Sequence, residues 1–200
     1  MRYSTEHKEQ SRIRIIEAAR QLFRRRGFDG ASIDQVMNQA GLTRGAFYAH
    51  FESKDDLIAQ VLNIEAGLVG NLHRATSTSE PRTAALDQLA HYLDPVQRHD
   101  NATGCPLVAH PVDAIRGDNT RKEGYTRSLR ALVESVEAIL GGTGSLDDGA
   151  HDDAIVISVL TVGAALLSAA SADDQLADQI EKVSLDKIHS ILNQPIRASN

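Results

Sequence analysis

Apolar residues recur at intervals of three and four positions along nearly the whole chain, and the strict alternation of a half-buried strand is never sustained. Intervals of three and four put side chains on one face of an α-helix. With 42% hydrophobic and 24% charged residues, the 200-residue chain has the composition of an ordinary globular protein and is long enough to bury a core. The sequence therefore predicts an all-α fold.

Two short helices are marked by capping and turn residues. Ser32, followed three residues later by Gln35, predicts a capping box at the start of the first helix. Gly41 suits a left-handed cap at its end, and Thr43 is the expected N-cap of the second helix. Because so few residues separate the two helices, they must cross steeply, as in a helix-turn-helix.

Longer helices are expected on both sides of this pair. The preceding helix ends before Gly27 and carries an apolar stripe of Ile13, Ile16, Ala19 or Arg20, and Phe23. A second capping box, Ser53 with Asp56, predicts a long following helix through Leu57, Val61, Ile64 and Leu68. Further helices are expected at about 84–93, 106–116, 120–140, 152–171 and 174–192.

Charge is distributed unevenly along the chain. Residues 1–54 carry ten Lys and Arg against six Asp and Glu, a net charge of +4, and residues 55–200 carry eleven against twenty-one, a net charge of −10. The formal total of −6 therefore conceals a basic N-terminal module, which can bind phosphates locally.

The helix-turn-helix, at about 32–51, has one apolar and one polar side. Apolar residues of both short helices can close a small core over the first helix: Val36, Ala40, Phe47 and Phe51. The residues left exposed on the second short helix suit entry into a major groove: Arg44, Gly45, Tyr48 and His50. Donors stand at three helix starts, where free backbone amides also favour phosphates: Ser32, Thr43 and Lys54.

A dense set of residues carries a family resemblance: Phe23, Gly27, Phe28, Ser32, Ile33, Val36, Ala40, Gly41, Leu42, Thr43, Gly45, Phe47, Tyr48, His50, Phe51, Ser53, Lys54 and Leu57. This pattern, within residues 8–65, resembles the TetR (tetracycline-repressor) family of bacterial transcriptional regulators. The resemblance implies an N-terminal three-helix domain at 8–68 that binds double-stranded, palindromic operator DNA. It further implies a larger helical domain at 69–200 that binds an effector and forms a homodimer through its last two helices.

The resemblance also assigns roles within the helix-turn-helix. It implies phosphate contacts from Thr43, Tyr48 and Lys54, and base contacts from Arg44 and Gly45. The C-terminal domains of the family diverge widely, so the identity of the effector does not follow from the resemblance.

Cys105, the only cysteine of the sequence, stands in the segment TGCP just before an expected helix start. Helix amides can favour the thiolate of such a residue, and the GCPL segment is similar to a subset of the same family whose members sense electrophiles or oxidants through a cysteine. The other interpretation is a small, buried, unreactive capping residue. A single cysteine excludes an internal disulfide and, with an N-terminus that lacks an apolar signal segment, fits a cytoplasmic protein.

Two triggers therefore remain open: covalent modification of Cys105 by an electrophilic effector, or reversible binding of an apolar or weakly polar small molecule. Apolar residues expected to face the core or an effector cavity of the second domain are Ile64, Leu68, Leu72, Leu89, Leu93, Val108 and Val112.

The uncharged run Ala154–Ala172 approaches the length of a membrane span. Its small residues and its acidic flanks differ from a spanning helix, which normally has basic or aromatic anchors. We therefore expect this helix at the centre of a bundle or between subunits, and no membrane partner.

Catalytic signatures such as G-x-S-x-G, H-E-x-x-H and G-x-G-x-x-G do not occur in the sequence. The spacings of His91, His99, Cys105, His110 and Asp113 match no compact metal-ligand motif, so neither a metal nor a cofactor is expected. The sequence predicts a ligand- or redox-responsive DNA-binding regulator, most simply a repressor. The alternative is a thiol-reactive sensor or enzyme-like protein that uses Cys105, with DNA binding secondary.

Overall fold

A computed structural model describes residues 5–62, 67–98, 105–141 and 148–194. Throughout these ranges the chain forms helices and no strand, which confirms the all-α prediction. In chain order the helices are α1 (Thr5–Gly30), α2 (Ile33–Gln39), α3 (Arg44–Phe47), α4 (Lys54–Val61), α5 (Leu68–Ala75), α6 (Pro81–Tyr92), α7 (Pro106–Ala109), α8 (Pro111–Arg116), α9 (Asn119–Gly141), α10 (Asp148–Ala170) and α11 (Asp174–Leu192). A 3-10 helix, Pro95–Gln97, lies between α6 and α7.

The helices pack into two compact units. The first contains Met1–Asn63 and His110–Tyr125, and the second contains Ile64–Ala109 and Thr126–Asn200. The chain therefore leaves the first unit, returns to it, and leaves it again. The expected division into 8–68 and 69–200 did not anticipate this return, and as a functional division it stays a prediction.

Aromatic side chains form the core of the first unit. Phe23, Phe28 and Phe47 are fully buried, and the rings of Phe23 and Phe28 meet edge to face with centroids 5.3 Å apart. Gly27, with a φ of 69°, interrupts the helical backbone of α1 and turns Phe28 back towards Phe23. Glycine adopts this left-handed conformation at little cost, so the expected helix end before Gly27 is confirmed as a break within α1.

The buried face of α1 differs in part from the expected stripe. Ala19 and Phe23 are buried and Ile16 packs against the core, but Ile13 is 57% exposed. Ile15, which was not on the expected stripe, is fully buried. Residues two apart on a helix point to nearly opposite sides, so the prediction for Ile13 was wrong because Ile15 defines the core-facing side.

The returning segment His110–Tyr125 is bonded to the end of α1. The backbone N–H of Phe28 donates to Oδ1 of Asp113 at 3.0 Å, and the ring of His110 lies 4.5 Å from that of Phe28. Burial lowers the pKa of His110, although hydrogen bonding to Asp113, with Nδ1 3.1 Å from Oδ2, opposes the shift. Arg121 donates to both carboxylate oxygens of Asp29, at 2.7 and 3.0 Å, and this hydrogen bonding lowers the pKa of Asp29.

Helix α10 packs against α11 in the second unit and has two different faces. The side chains of Ala154, Ile157 and Thr161 are buried, whereas Val159 and Leu167 are 61% and 58% exposed. The stretch Gly149–Ala170 is long and apolar enough to cross a membrane, a property that core helices of globular proteins share. The expected burial of this helix in a core is therefore confirmed for one of its faces, and its other face is exposed in the single chain.

Two arginines hold the helices of the second unit together. Arg82 donates to the backbone carbonyls of Leu192 at 2.9 Å and Leu140 at 2.8 Å, near the ends of α11 and α9. The last carbonyls of a helix lack partners within it, so one guanidinium satisfies two helix ends. Arg98, which is largely buried, donates from Nε and Nη2 to the buried carboxylate of Glu181, both at 2.8 Å.

Two expected helices are interrupted. The helix expected to run from Ser53 through Leu68 is divided before Gly67, whose φ of −123° and ψ of −133° are not helical. The helix expected at 106–116 is divided at Pro111, since proline has no N–H to continue the ladder and its ring crowds the preceding turn. The expected helices at 120–140, 152–171 and 174–192 correspond to α9, α10 and α11.

Candidate nucleic-acid interface

The start of α2 is fixed by the expected capping box. The backbone N–H of Gln35 donates to Oγ of Ser32 at 3.2 Å, and the backbone N–H of Ser32 donates to Oε1 of Gln35 at 3.0 Å. These reciprocal bonds satisfy two amides that a helix start otherwise leaves free. The prediction for Ser32 as a cap is confirmed, and its side chain remains exposed.

The turn between α2 and α3 depends on a left-handed glycine. Gly41 has a φ of 66°, and the N–H of Leu42 donates to the carbonyl of Met37 at 2.9 Å, which closes a Schellman-type cap. Nη2 of Arg14, on α1, donates to the carbonyl of Ala40 at 2.5 Å. The predicted cap at Gly41 is confirmed, and the hydrogen bond from Arg14 joins it to α1.

Thr43 occupies the N-cap position of α3 with an extended backbone, as expected, but its hydroxyl makes no capping hydrogen bond. The N–H of Ala46 instead donates to the backbone carbonyl of Thr43 at 3.0 Å. The α3 helix is a single turn, so backbone bonds close it without the side chain. The hydroxyl of Thr43 is exposed and available to a ligand.

Helix α3 presents polar and small residues to solvent while Phe47 is fully buried. Arg44 and Gly45 are exposed, and Tyr48 is 59% exposed with its ring edge-on to Phe47 at 5.3 Å. A Cβ atom at Gly45 would meet no other atom within 4 Å. The packing of the chain therefore does not require glycine at position 45, and its backbone is open to close approach from outside.

Arg44 is held by a partner that the sequence analysis did not identify. Its Nη1 donates to both carboxylate oxygens of Asp34, at 2.8 and 3.1 Å. Asp34 lies in the first turn of α2, and both side chains are more than half exposed. Asp34 and Arg44 are the only two charged side chains, with His50 taken as neutral, within residues 32–51, and this isolated pair of opposite charges is the signal that could have indicated the contact.

The start of α4 carries the other expected phosphate donors. Oγ of Ser53 accepts from the N–H of Asp56 at 3.1 Å. The carboxylate of Asp56 accepts in return from the N–H of Glu52, also at 3.1 Å, whereas a regular capping box would use the N–H of Ser53. Lys54 is half-buried as the first residue of α4. Burial, with the nearby charges of basic residues on α1, lowers the pKa of His50, which favours the neutral form of its ring.

The residues expected at an effector cavity have different environments. Leu89, Leu93 and Val108 are buried in the second unit, and Leu68 is half-buried. Val112 is 52% exposed and belongs to the first unit, so its expected place among them was wrong. The division of 106–116 at Pro111 separates Val112 from Val108 and accounts for this.

Ile64 lies outside the described residues. A cleft of the second unit is lined by residues of α5 and α6 and by the turn between them: Asn71, Arg74, Ala75, Thr78, Ala84 and Gln88. This cleft is more polar than the expected cavity and contains none of the residues predicted for it.

Cys105 is a free, half-buried cysteine that directly precedes α7. Its carbonyl accepts from the N–H groups of Val108 and Ala109, at 3.1 and 2.9 Å, which confirms the expected helix start. Burial raises the pKa of Tyr92, and the neighbouring Cys105 adds to this shift. A neutral phenol therefore lies beside the thiol.

Among the described residues, no three His, Cys, Asp or Glu side chains come together as a metal site. His99, one of the histidines considered in the sequence, lies outside that part of the chain. His110 and Asp113 pair with each other instead, against the end of α1.

Residues 15–61, which contain the capped pair α2 and α3, match the family model of bacterial regulatory proteins of the tetR family. This part of the chain is therefore similar to the N-terminal region of tetR-family regulators. The match includes Arg44, Gly45, Tyr48 and Lys54, and ends at the last residue of α4.

Individual proteins resemble the chain in sequence over part of its length and in fold over most of it. The chain is 28% identical over 96 residues to the HTH-type transcriptional regulator AcrR of Shigella flexneri, covering 46% of this chain and 45% of AcrR. Reduced NemR of E. coli superposes with a TM-score of 0.75 at 20% identity, over 93% of this chain and 98% of that chain. The triclosan complex of SmeT from Stenotrophomonas maltophilia superposes with a TM-score of 0.69 at 18% identity, over 90% of each chain. The alignment to AcrR spans less than half of either protein, whereas the two structural superpositions each cover at least 90% of both chains.

Replacing the two glycines of the helix-turn-helix is expected to have opposite effects on stability. Gly41→Ala should lower the free energy of unfolding by about 1–2 kcal/mol, because a side chain is strained at a φ of 66° and its Cβ would lie 3.0 Å from Nη2 of Arg14. Gly45→Ala should raise it by up to about 1 kcal/mol, since alanine favours a helix and the space is open. Urea unfolding measures both, and equal destabilisation would contradict these two environments.

Proposed function

We propose that the protein is a ligand- or redox-responsive transcriptional repressor that binds operator DNA as a homodimer and is released by an effector acting on its second domain. The observation that carries this proposal is the exposed face of α3, where Arg44, Gly45 and Tyr48 reach solvent. A short helix that follows the capped turn at Gly41 and directs polar residues and open backbone outward fits a major groove.

The residues that border this face are proposed to contact phosphates. Ser32 and Thr43 have exposed side chains, and the hydroxyl of Thr43 is free of any capping bond. Lys54 supplies a positive charge at the start of α4, and residues 1–54 carry a net charge of +4. His50, half-buried after α3, is proposed to contribute a hydrogen-bonding imidazole.

The relatives favour regulation over catalysis. AcrR is an HTH-type transcriptional regulator, and SmeT is the repressor of a multidrug efflux pump. A similar role in this chain implies a bacterial cytoplasmic protein whose effector is a small molecule. The thiol-reactive or enzyme-like alternative has no relative of that kind among these proteins.

Two substitutions test DNA binding and separate its two components. Lys54→Ala should weaken binding to selected and random duplexes alike and reduce the salt slope by about two units, because it removes one phosphate contact from each of the two subunits. Arg44→Ala should cost about 1–3 kcal/mol per subunit for the preferred base and relax selection at two symmetric positions. Selection from randomised duplexes, followed by titration at several salt concentrations, measures both effects.

Failure of the unaltered protein to enrich any duplex would contradict the proposed function. A Lys54→Ala variant with altered base preference and an unchanged salt slope would contradict the phosphate role alone.

The outer face of α10 supports the proposed homodimer. Ile155, Val159 and Leu167 are exposed apolar residues on the side away from the buried face, and Val183 of α11 is 58% exposed. A Cβ at Gly163, between them, would meet no atom within 4 Å. Large exposed apolar surfaces of this kind mark contacts between proteins, and a two-fold pairing of α10 and α11 would bury this one.

Gly163→Arg tests this interface because the single chain has room for the new side chain. We expect monomers or aggregates in sedimentation velocity, since dimerisation would bury an unpaired guanidinium. Thr83→Arg is the matched control, because it adds the same charge at an exposed polar position of α6, outside the proposed interface. A soluble Gly163→Arg dimer as stable as the control would remove this face from the interface.

Cys105 is proposed as the trigger if release is covalent. It is a half-buried free thiol at a helix start, beside the neutral phenol of Tyr92. The NemR structure that the chain resembles is of the reduced form of that protein. Reversible binding of an apolar ligand is the competing trigger for this chain.

Cys105→Ser separates the two triggers. The serine hydroxyl keeps the approximate size of the thiol but is a far weaker nucleophile. If Cys105 is the sensor, the Cys105→Ser variant should therefore bind DNA normally but resist release by peroxide or a maleimide. Fluorescence anisotropy of labelled DNA measures release. Equal release of both proteins would assign Cys105 a structural role.

A further inference from the structure

The ion pair between Asp34 and Arg44 has no evident structural purpose. Their side chains are 53% and 62% exposed, and exposed ion pairs contribute little to stability. Asp34 makes no capping bond at the start of α2, where Ser32 and Gln35 bond to each other. The pair therefore calls for an explanation outside the stability of the helix-turn-helix.

A carboxylate is also unfavourable on a surface that faces DNA. Asp34 lies beside the exposed residues of α3, and an isolated negative charge there would repel phosphates. Pairing with Arg44 neutralises this charge but also removes a positive charge that could have bound a phosphate. Affinity alone does not account for the arrangement.

The atoms that form the pair indicate a different role. Only Nη1 of Arg44 bonds to Asp34, and among the described residues Nε and Nη2 of Arg44 have no hydrogen-bond partner. Nε and Nη2 carry two parallel N–H groups, the fork that matches the O6 and N7 acceptors of guanine. Asp34 thus binds Nη1, the one guanidinium nitrogen that does not belong to this fork.

We propose that Asp34 is a positioning residue for DNA recognition, which fixes the guanidinium of Arg44 so that its Nε and Nη2 atoms address a guanine. A free arginine side chain has many rotamers and can turn to the nearest phosphate, so fixing it reduces the entropy lost on binding and favours the base over the backbone. This inference rests on the proposed function. It concerns selectivity between sequences.

The test uses the full-length chain with the neutral variant Asp34→Asn and the matched control Asp55→Asn. Asp55 is an exposed carboxylate in the first turn of α4, and no contact joins it to Arg44 among the described residues. Both variants remove one negative charge, so both should bind random duplex slightly more tightly. Circular dichroism and thermal unfolding check that both remain folded.

Base preference distinguishes the variants. The guanine position is first defined as the one at which Arg44→Ala relaxes selection. Asp34→Asn should reduce the preference for guanine there by about three- to tenfold, which is less than the loss of a whole bidentate contact would cause. Asp55→Asn should leave this preference unchanged. In an Arg44→Ala background, Asp34→Asn should have no further effect on preference, because the group it positions is gone.

Three results would overturn the inference while the proposed function stands. Unchanged preference in Asp34→Asn would mean that Arg44 needs no support. If Asp34→Asn raised the affinity for all sequences by the same factor, and by more than Asp55→Asn does, Asp34 would serve to mask the charge of Arg44. Altered preference at a different base pair would mean that Asp34 itself contacts a base. If the unaltered protein selects no sequence, the proposed function and this inference both fail.

Discussion

The left-handed backbone at Gly41 determines how the helix-turn-helix is arranged. A φ of 66° reverses the chain after α2, and the bond from the N–H of Leu42 to the carbonyl of Met37 closes the turn. The α3 helix then starts in the direction that buries Phe47 and leaves Arg44 in solvent. The exposure of the candidate interface is thus a consequence of one turn, which only glycine adopts without strain.

Features with local causes could be predicted from the sequence. The capping box joins Ser32 to a residue three positions away, and the cap at Gly41 depends on backbone conformation at one position. Such interactions need no knowledge of the rest of the fold. The side chain of Thr43 is the exception, since the single turn of α3 closes through backbone bonds and leaves its hydroxyl unused.

Features that depend on distant partners could not be predicted. Asp113 accepts from the backbone of Phe28 across 85 positions of sequence, and no local pattern indicates this bond. The error at Ile13 has the same origin, because periodicity gives a helical face but tertiary packing decides which side is buried. Val112 was misplaced because its segment packs in the first unit. The pair of Asp34 with Arg44 lies between these cases, being ten positions apart but visible only once the turn is built.

The composition of α10 has a single explanation if both of its faces are considered. On the buried face, Ser158 donates to the carbonyl of Ala154 at 2.8 Å and Thr161 to that of Ile157 at 2.7 Å, so their hydroxyls need no partner from α11. Small residues satisfied in this way let α11 approach closely. The outer face is apolar without such a neighbour, and leaving it in water is unfavourable. A second copy of the same surface would cover it, which is why a helix with the composition of a membrane span suits the proposed dimer of a DNA-binding protein.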